Sequence, residues 1–204
     1  MNLQAKTLHK DEQRILYQYI SYKKPKIIME FGTQFGLSAA FFVDTTIALG
    51  LKTHIHSWDV MIPLMDRPLS CSSNFSFHLE NITGKEKDVL DFYKPDFLFL
   101  DAHAYKLTRN LMKECLHRGI DFVCHDVRLD ILANLKKTTN NFQKREGMDM
   151  CQWEVYLLGE LIHKDLWEKD NYEDDLVRVS CYRQPVDKIV IERAYGLAVI
   201  ESKQ

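Results

Sequence analysis

The sequence has no C-x-x-C pair: its five cysteines (Cys71, Cys115, Cys124, Cys151 and Cys181) are scattered along 204 residues. That spacing argues against a zinc knuckle or a disulfide frame and fits reduced thiols in a cytoplasmic protein. Excess charge is lacking too. The 27 basic and 29 acidic residues leave a formal net charge of -2, so the concentrated basic surface that nucleic acid requires is not expected. Small clusters such as Lys136-Lys137 read as solvated helix face. No apolar run approaches the length that spans a bilayer. Met1 to Arg14 is polar, without the apolar centre of a signal peptide. Internal repeats and linker-like shifts of composition are missing as well. The expectation is a soluble, cytoplasmic single domain over residues 1–204, with residues 1–24 as a helical extension and with no nucleic-acid or membrane partner.

Strand and helix patterns alternate from end to end, which argues for an α/β layer architecture. An amphipathic helix is expected over Lys10–Tyr22, with Ile15, Leu16, Tyr19 and Ile20 on one face. Strands follow at Lys26–Glu30, His54–Asp59 and Phe75–Leu79, with a helix over Leu37–Leu49. The continuous apolar run in Asp96–Asp101 is the clearest strand, suited to the centre of a parallel sheet. A helix over Leu107–His117 leads to a strand at Ile120–Asp126, then to helices over Leu129–Gln143 and Trp153–Trp167. Strands at Val177–Tyr182, Lys188–Ile191 and Tyr195–Glu201 close the chain, and Asp170–Asp175 reads as a solvated connection.

The most informative segment is Lys26-Ile-Ile-Met-Glu30-Phe-Gly32-Thr33-Gln-Phe-Gly36-Leu-Ser38. An apolar strand ends in an acid and turns through two glycines into a helix, so backbone can approach a ligand closely there. The helix N-terminus suits an anionic group, while Glu30 suits a cationic or polyhydroxyl one. S-adenosylmethionine carries both kinds of group, an α-carboxylate and an α-ammonium, besides its ribose hydroxyls. A nicotinamide or flavin site reads G-x-G-x-x-G, and the middle glycine is missing here. The alternative is a strand-to-helix turn whose glycines serve packing alone. Glu30, Asp59, Asp101 and Asp126 each close a strand pattern, where ligands of open parallel sheets sit. Asp59 is placed to accept from both hydroxyls of a ribose; its other reading is a turn former.

These residues carry a resemblance. Glu30-Phe-Gly32-Thr33-Gln-Phe-Gly36-Leu-Ser38, Asp59, Asp96-Phe-Leu-Phe-Leu-Asp101-Ala-His103-Ala-Tyr105, Val123-Cys-His125-Asp126 and Tyr195-Gly196-Leu197-Ala-Val199 resemble the class I S-adenosylmethionine-dependent methyltransferases. The match is with small O-methyltransferases of the catechol and cephalosporin-cluster (methyltransferase 24-like) type, and it runs from Lys26 to Glu201. The resemblance implies a Rossmann-like, doubly wound, mostly parallel seven-stranded sheet with helices on both faces and an antiparallel last strand. It implies that Glu30, Gly32, Thr33, Gly36 and Ser38 hold the methionine part of the cofactor, Asp59 the ribose, and the segment Glu80, Asn81 and Ile82 the adenine, with Asp101 also beside the cofactor. It further implies a divalent cation, magnesium or manganese, on Asp101 and Asp126 with His125 beside them, lowering the pKa of the acceptor hydroxyl. The family pattern after the fourth strand often reads D-G-D-H-x-Y; Asp101-Ala-His103-Ala-Tyr105 is one residue shorter and lacks an acid. An acid pair without metal is therefore the competing reading.

His103 and His125 are the candidate general bases, with Asp101 as the acid beside them; His103 is favoured because its position after Asp101 points to the mouth of the sheet. The remaining histidines have no partner pattern and count as structural. The candidates for acceptor recognition are Val60–Leu69, apolar with two prolines, and Asn140–Met150, which read equally as ordinary surface loops. Arg67, Arg109 and Arg128 are candidate contacts for an anionic acceptor, although an exposed structural arginine is the commoner case. The function expected is methyl transfer to a hydroxyl of a small molecule (a sugar, a phenol or a natural-product intermediate). The alternative is a catalytically silent S-adenosylmethionine-binding protein with a regulatory or assembly role. A homo-oligomer in which the N-terminal helix covers a partner copy stays open.

Overall fold

In a computed structural model of the chain, residues 8–62, 69, 72–125, 127, 153–163, 171–183 and 196–203 are described. The chain divides into two compact units, residues 1–102 and 103–204.

The first unit begins with α1, Lys10–Lys23. The His9 ring accepts the Asp11 N–H and the Glu12 carboxylate accepts the His9 N–H, which satisfies amide groups at the helix start. The helix ends where Lys24 turns left-handed at φ 51. Then follow β1 (Ile27–Phe31), α2 (Leu37–Ala48), β2 (His54–Asp59), β3 (Phe75–Leu79), α3 (Glu86–Tyr93) and β4 (Phe97–Leu100). The strands run in the order β3-β2-β1-β4 and every pairing is parallel. Register sets the two faces: Glu30 lies opposite Ser57 on β2 and Phe99 on β4. On that face α2 presses Phe42 edge-on against Phe97 and Phe99, and α1 lays Tyr19 beside Phe97 at 4.9 Å between ring centroids. Each such ring, fully buried, contributes roughly 1.5–3 kcal/mol. The other face carries Phe31, His56, Trp58 and His78 beneath Tyr93 of α3.

The second unit holds α4 (Tyr105–Arg118), β5 (Asp121–Cys124), α5 (Trp153–Leu161), β6 (Asn171–Glu173), β7 (Val177–Arg183) and β8 (Gly196–Ser202). Its strands run in the order β5-β8-β7-β6 with antiparallel pairings throughout. α4 packs against β5 and α5, burying Leu111, Met112 and Cys115.

Eight strands stand among the described residues where the resemblance implies seven. The extra one is β6, inside the segment read as a solvated connection; its three residues pair with Arg178–Ser180 of β7. A strand this short, with the charged Glu173 on it, is the kind of edge that does not recruit another chain. α3 is likewise absent from the sequence expectation, and α5 ends at Leu161, where the His163 N–H turns back to the Leu158 carbonyl; residues 164–167 of the expected helix lie outside the described residues. The expected helix over 129–143 and the strand over 188–191 lie outside the described residues. Among the described residues no helix is long and apolar enough to cross a membrane.

Candidate active site

The end of β1 builds the floor of the candidate site. The Gly32 N–H donates to the Trp58 carbonyl at 3.0 Å, and the Asp101 N–H donates to the Phe31 carbonyl at 2.8 Å. Gly32 sits at φ 101, and a Cβ there would lie 2.3 Å from the Asp101 carbonyl oxygen. Only glycine lets β1 leave the sheet so close to the end of β4. The turn then closes with the Gly36 N–H on the Thr33 carbonyl at 2.7 Å, and Gly36, at φ 70, opens α2 with no side chain capping its first amides. Those amides are the donors an anionic group would take.

Glu30 is fully buried in this floor. Ser38 donates to its Oε1 and Ser57 to its Oε2. Thr33, also buried, donates in turn to the Ser57 hydroxyl at 2.5 Å. Burial pushes the Glu30 carboxyl up to about 7; the Ser38 and Ser57 hydroxyls pull it down, and the carboxylates of Asp101 and Asp59 push it up again. The charges acting on this buried acid are thus acids themselves. Asp59, half-buried, accepts the Gln34 N–H at 2.8 Å and the Met61 N–H at 3.0 Å, one on each carboxylate oxygen. It ties the glycine turn, whose Gln34 is left-handed at φ 43, to the end of β2. Each oxygen retains a lone pair for another donor.

Beyond β3, Asn81 is exposed and its side-chain oxygen accepts the Thr83 N–H at 3.0 Å, while Glu80 pairs with Lys85 at 2.7 Å. Ile82 is buried. Val60, Met61 and Ile62, which start the expected lid, stand exposed directly after Asp59. The rest of that segment apart from Leu69, the whole of 140–150, Arg67 and Arg128 lie outside the described residues.

In the second unit His103 precedes α4, left-handed at φ 49, with its Nδ1 3.4 Å from Oε1 of Glu154. His125 follows β5 and is half-buried; Asp126 lies outside the described residues. Arg109, a candidate for an anionic acceptor, is engaged by Glu160 at 2.5 Å. Among the described residues no group of three His, Cys, Asp or Glu side chains is placed to hold a metal ion.

The structure places Glu30, Gly32, Thr33, Gly36, Ser38, Asp59 and Asp101 in the first unit. It adds Ser57, which sequence reasoning passes over: a hydroxyl two residues before Asp59 on β2 takes on meaning only from its register with Glu30. It also adds Glu154, whose signal is a lone acid in the apolar run Trp153-Glu-Val-Tyr-Leu-Leu. His54, His56 and His78, read as partnerless, are partners of one another: His56 Nδ1 and His78 Nε2 are 3.1 Å apart, and His54 stacks beside His56.

No protein-family model matches the chain, and no curated protein matches it in sequence. Solved structures do match its fold. The O-methyltransferase from Bacillus cereus in complex with S-adenosylhomocysteine superposes with a TM-score of 0.64 at 15% identity, covering 99% of this chain and 85% of that one. The CmcI structure with magnesium and S-adenosylmethionine gives 0.58 at 18% identity, covering 97% and 73%. TomG from Streptomyces achromogenes, an O-methyltransferase involved in tomaymycin synthesis and solved with S-adenosylmethionine, gives 0.56 at 13% identity, covering 97% and 82%. The chain has the Rossmann-like α/β fold of the small O-methyltransferases.

Proposed function

We propose that the protein is an S-adenosylmethionine-dependent O-methyltransferase that acts on a hydroxyl of a small molecule, a sugar, a phenol or a natural-product intermediate, with residues 1–204 as one methyltransferase domain. The observation that carries this reading is the Glu30 floor. A carboxylate with no access to water, braced by two hydroxyls and pressed by two further carboxylates, is stabilised by a cationic ligand. The fold's bound cofactor elsewhere, S-adenosylmethionine, is such a ligand.

Bound there, S-adenosylmethionine would supply a methyl group activated on a sulfonium. Glu30 would hold the α-ammonium, with Ser38, Ser57 and Thr33 fixing its carboxylate. The open amides of α2 would take the α-carboxylate, and Gly32 and Gly36 leave room for it. Asp59 would accept from the ribose with the lone pairs that Gln34 and Met61 leave, and Asn81 would stand by the adenine. His103, with His125 as the other candidate and Asp101 beside the cofactor, would accept the proton of the attacking hydroxyl. Methyl transfer would then form the O–CH3 bond as the CH3–S bond broke, with that bond's electron pair left on sulfur. A divalent cation on Asp101, His125 and Asp126 is a separate element of the proposal. The described residues supply no three-ligand set for it, so no step here runs through a metal.

The test is calorimetric titration with S-adenosylhomocysteine, with and without magnesium or manganese, and with NADH as control. Micromolar binding of S-adenosylhomocysteine is expected, and metal dependence would add the cation. Absence of binding under every condition refutes the proposal, and an Asp59→Ala variant with full affinity removes Asp59 from the site. The shortened Asp101-Ala-His103-Ala-Tyr105 segment favours one second reading, a silent cofactor-binding protein. Turnover of S-adenosylmethionine against a panel of hydroxylated acceptors eliminates it.

A further inference from the structure

Glu154 takes no part in the cofactor chemistry proposed above, yet its side chain has no exposed surface. It stands in the first turn of α5, where the positive end of the helix favours an acid. A carboxylate withdrawn from water this completely is retained only in the company of donors or opposite charge. One such companion is the His103 ring, at 3.4 Å. The two groups are close but not aligned as a hydrogen bond, as catalytic contacts commonly are before substrate binds.

His103 is held in turn. Its left-handed backbone, at φ 49, is uncommon for a non-glycine residue, and such strain persists only where the surroundings impose it. The helix that follows it, α4, packs against α5. Arg109, six residues beyond His103, donates through Nε at 3.0 Å and Nη2 at 2.5 Å to Glu160, which is six residues beyond Glu154. The ion pair therefore fixes the same helical offset that brings Glu154 to the ring.

We propose that Glu154 is the positioning residue for His103: it accepts the Nδ1 proton of the ring and leaves Nε2 as the nitrogen that receives a proton from the acceptor hydroxyl. The proposal rests on the methyltransferase reading for the identity of that hydroxyl. The hydroxyl proton passes to Nε2, the oxygen takes the methyl group, and the electrons of the broken C–S bond stay on sulfur. The imidazolium so formed has the Glu154 carboxylate beside it. Without an acceptor at Nδ1 a neutral histidine favours the Nε2–H tautomer, which has no lone pair to offer the hydroxyl.

The deciding measurement is the tautomer of His103 in the full-length 15N-labelled protein, read from long-range 1H–15N spectra at one fixed pH with and without S-adenosylhomocysteine, and assigned with His103→Gln. An Nδ1–H ring is expected; an Nε2–H ring overturns the proposal. Glu154→Leu should invert the tautomer and lower kcat at least tenfold on any acceptor found, with KM for S-adenosylmethionine held within twofold. Glu154→Asp should recover part of kcat. Unchanged kcat in Glu154→Gln also overturns the proposal, and the wild-type tautomer decides even if Glu154→Leu does not fold. The two readings fail separately. Absence of S-adenosylhomocysteine binding refutes the methyltransferase reading whatever the tautomer, whereas an Nε2–H ring in a protein that binds it refutes only the role of Glu154.

Discussion

One face of β2 presents Ser57 to the buried Glu30 carboxylate; the other lays His54, His56 and Trp58 against His78 and Tyr93. Burial is the first cause on both faces, and on both it favours the neutral form. It lifts Glu30 to about 7 and drops His56 to about 4, with His54 and His78 lowering His56 further. The faces differ in what their neighbours provide. On the histidine side His56 meets His78, His54 meets the Ser76 hydroxyl at 2.9 Å, and Trp58 stacks on His78 at 4.2 Å, so the rings complete one another. On the Glu30 side the charged neighbours repeat its own sign. Titratable side chains inside a sheet are therefore not in themselves a mark of function. A deficit of one sign of charge around them is.

The comparison breaks most severely at Gly32. Gly32→Ala forces a Cβ onto the Asp101 carbonyl and an unfavourable φ, and is expected to cost about 4 kcal/mol in urea unfolding and to abolish S-adenosylhomocysteine binding. A loss below about 1 kcal/mol would mean that β1 and β4 do not approach as described.

Glu30→Gln separates binding from stability. The unfolded acid ionises near 4.5 and the folded one at about 7, so the native state holds the extra proton between these values. The stability this group contributes is present near pH 4.5 and is lost as pH rises to 7. The amide cannot ionise, so the variant should gain roughly 3 kcal/mol on the wild type between pH 4.5 and 8, measured by denaturant titration at both. Cofactor affinity should fall meanwhile. Equal pH dependence in the two proteins would show that Glu30 is not the buried acid it is taken to be.

The wild type itself sharpens the contrast. An ammonium needs ionised Glu30, so calorimetry should find S-adenosylhomocysteine binding about tenfold weaker at pH 6 than at pH 8. Affinity constant across this range would contradict the assignment of Glu30 to the ammonium.

The smallest effect belongs to the histidine face. His56 titrates at about 4 folded and near 6.5 unfolded, so the unfolded chain takes the proton first as pH falls, and stability declines from 6.5 towards 4. His56→Phe keeps a ring against Tyr93 and removes this titration. Its melting temperature should fall less than that of the wild type between pH 7 and pH 5, with S-adenosylhomocysteine affinity unaltered. An altered affinity would mean that the two faces of β2 are not independent.

Much of this was legible in sequence where one residue carries its own signal. β2 and β3 occupy the expected residues, and the acid-to-glycine turn after β1 brings Glu30, Gly32 and Gly36 together as their spacing implies. What escaped depends on partners distant in the chain. Ser57 is an unremarked hydroxyl until register sets it opposite Glu30. His54 and His56 alternate on one strand, but the third ring, His78, arrives from another. α3 is too short for periodicity to declare it, although Glu86 and Leu90 are buried one turn apart. β6 exists because β7 offers it a ladder, which no local preference of Asn171–Glu173 announces.

Cys115 on α4, Cys124 on β5 and Cys181 on β7 are buried, and desolvation holds the first two thiols far above their ordinary ionisation range. A thiol that is neither accessible nor ionised does not react with an alkylating reagent, so modification must wait until its segment opens. Each of these cysteines is thus a built-in timer. Followed by mass spectrometry, the rates at which they are blocked would report how often a helix and two strands of the second unit come apart, without any probe being introduced.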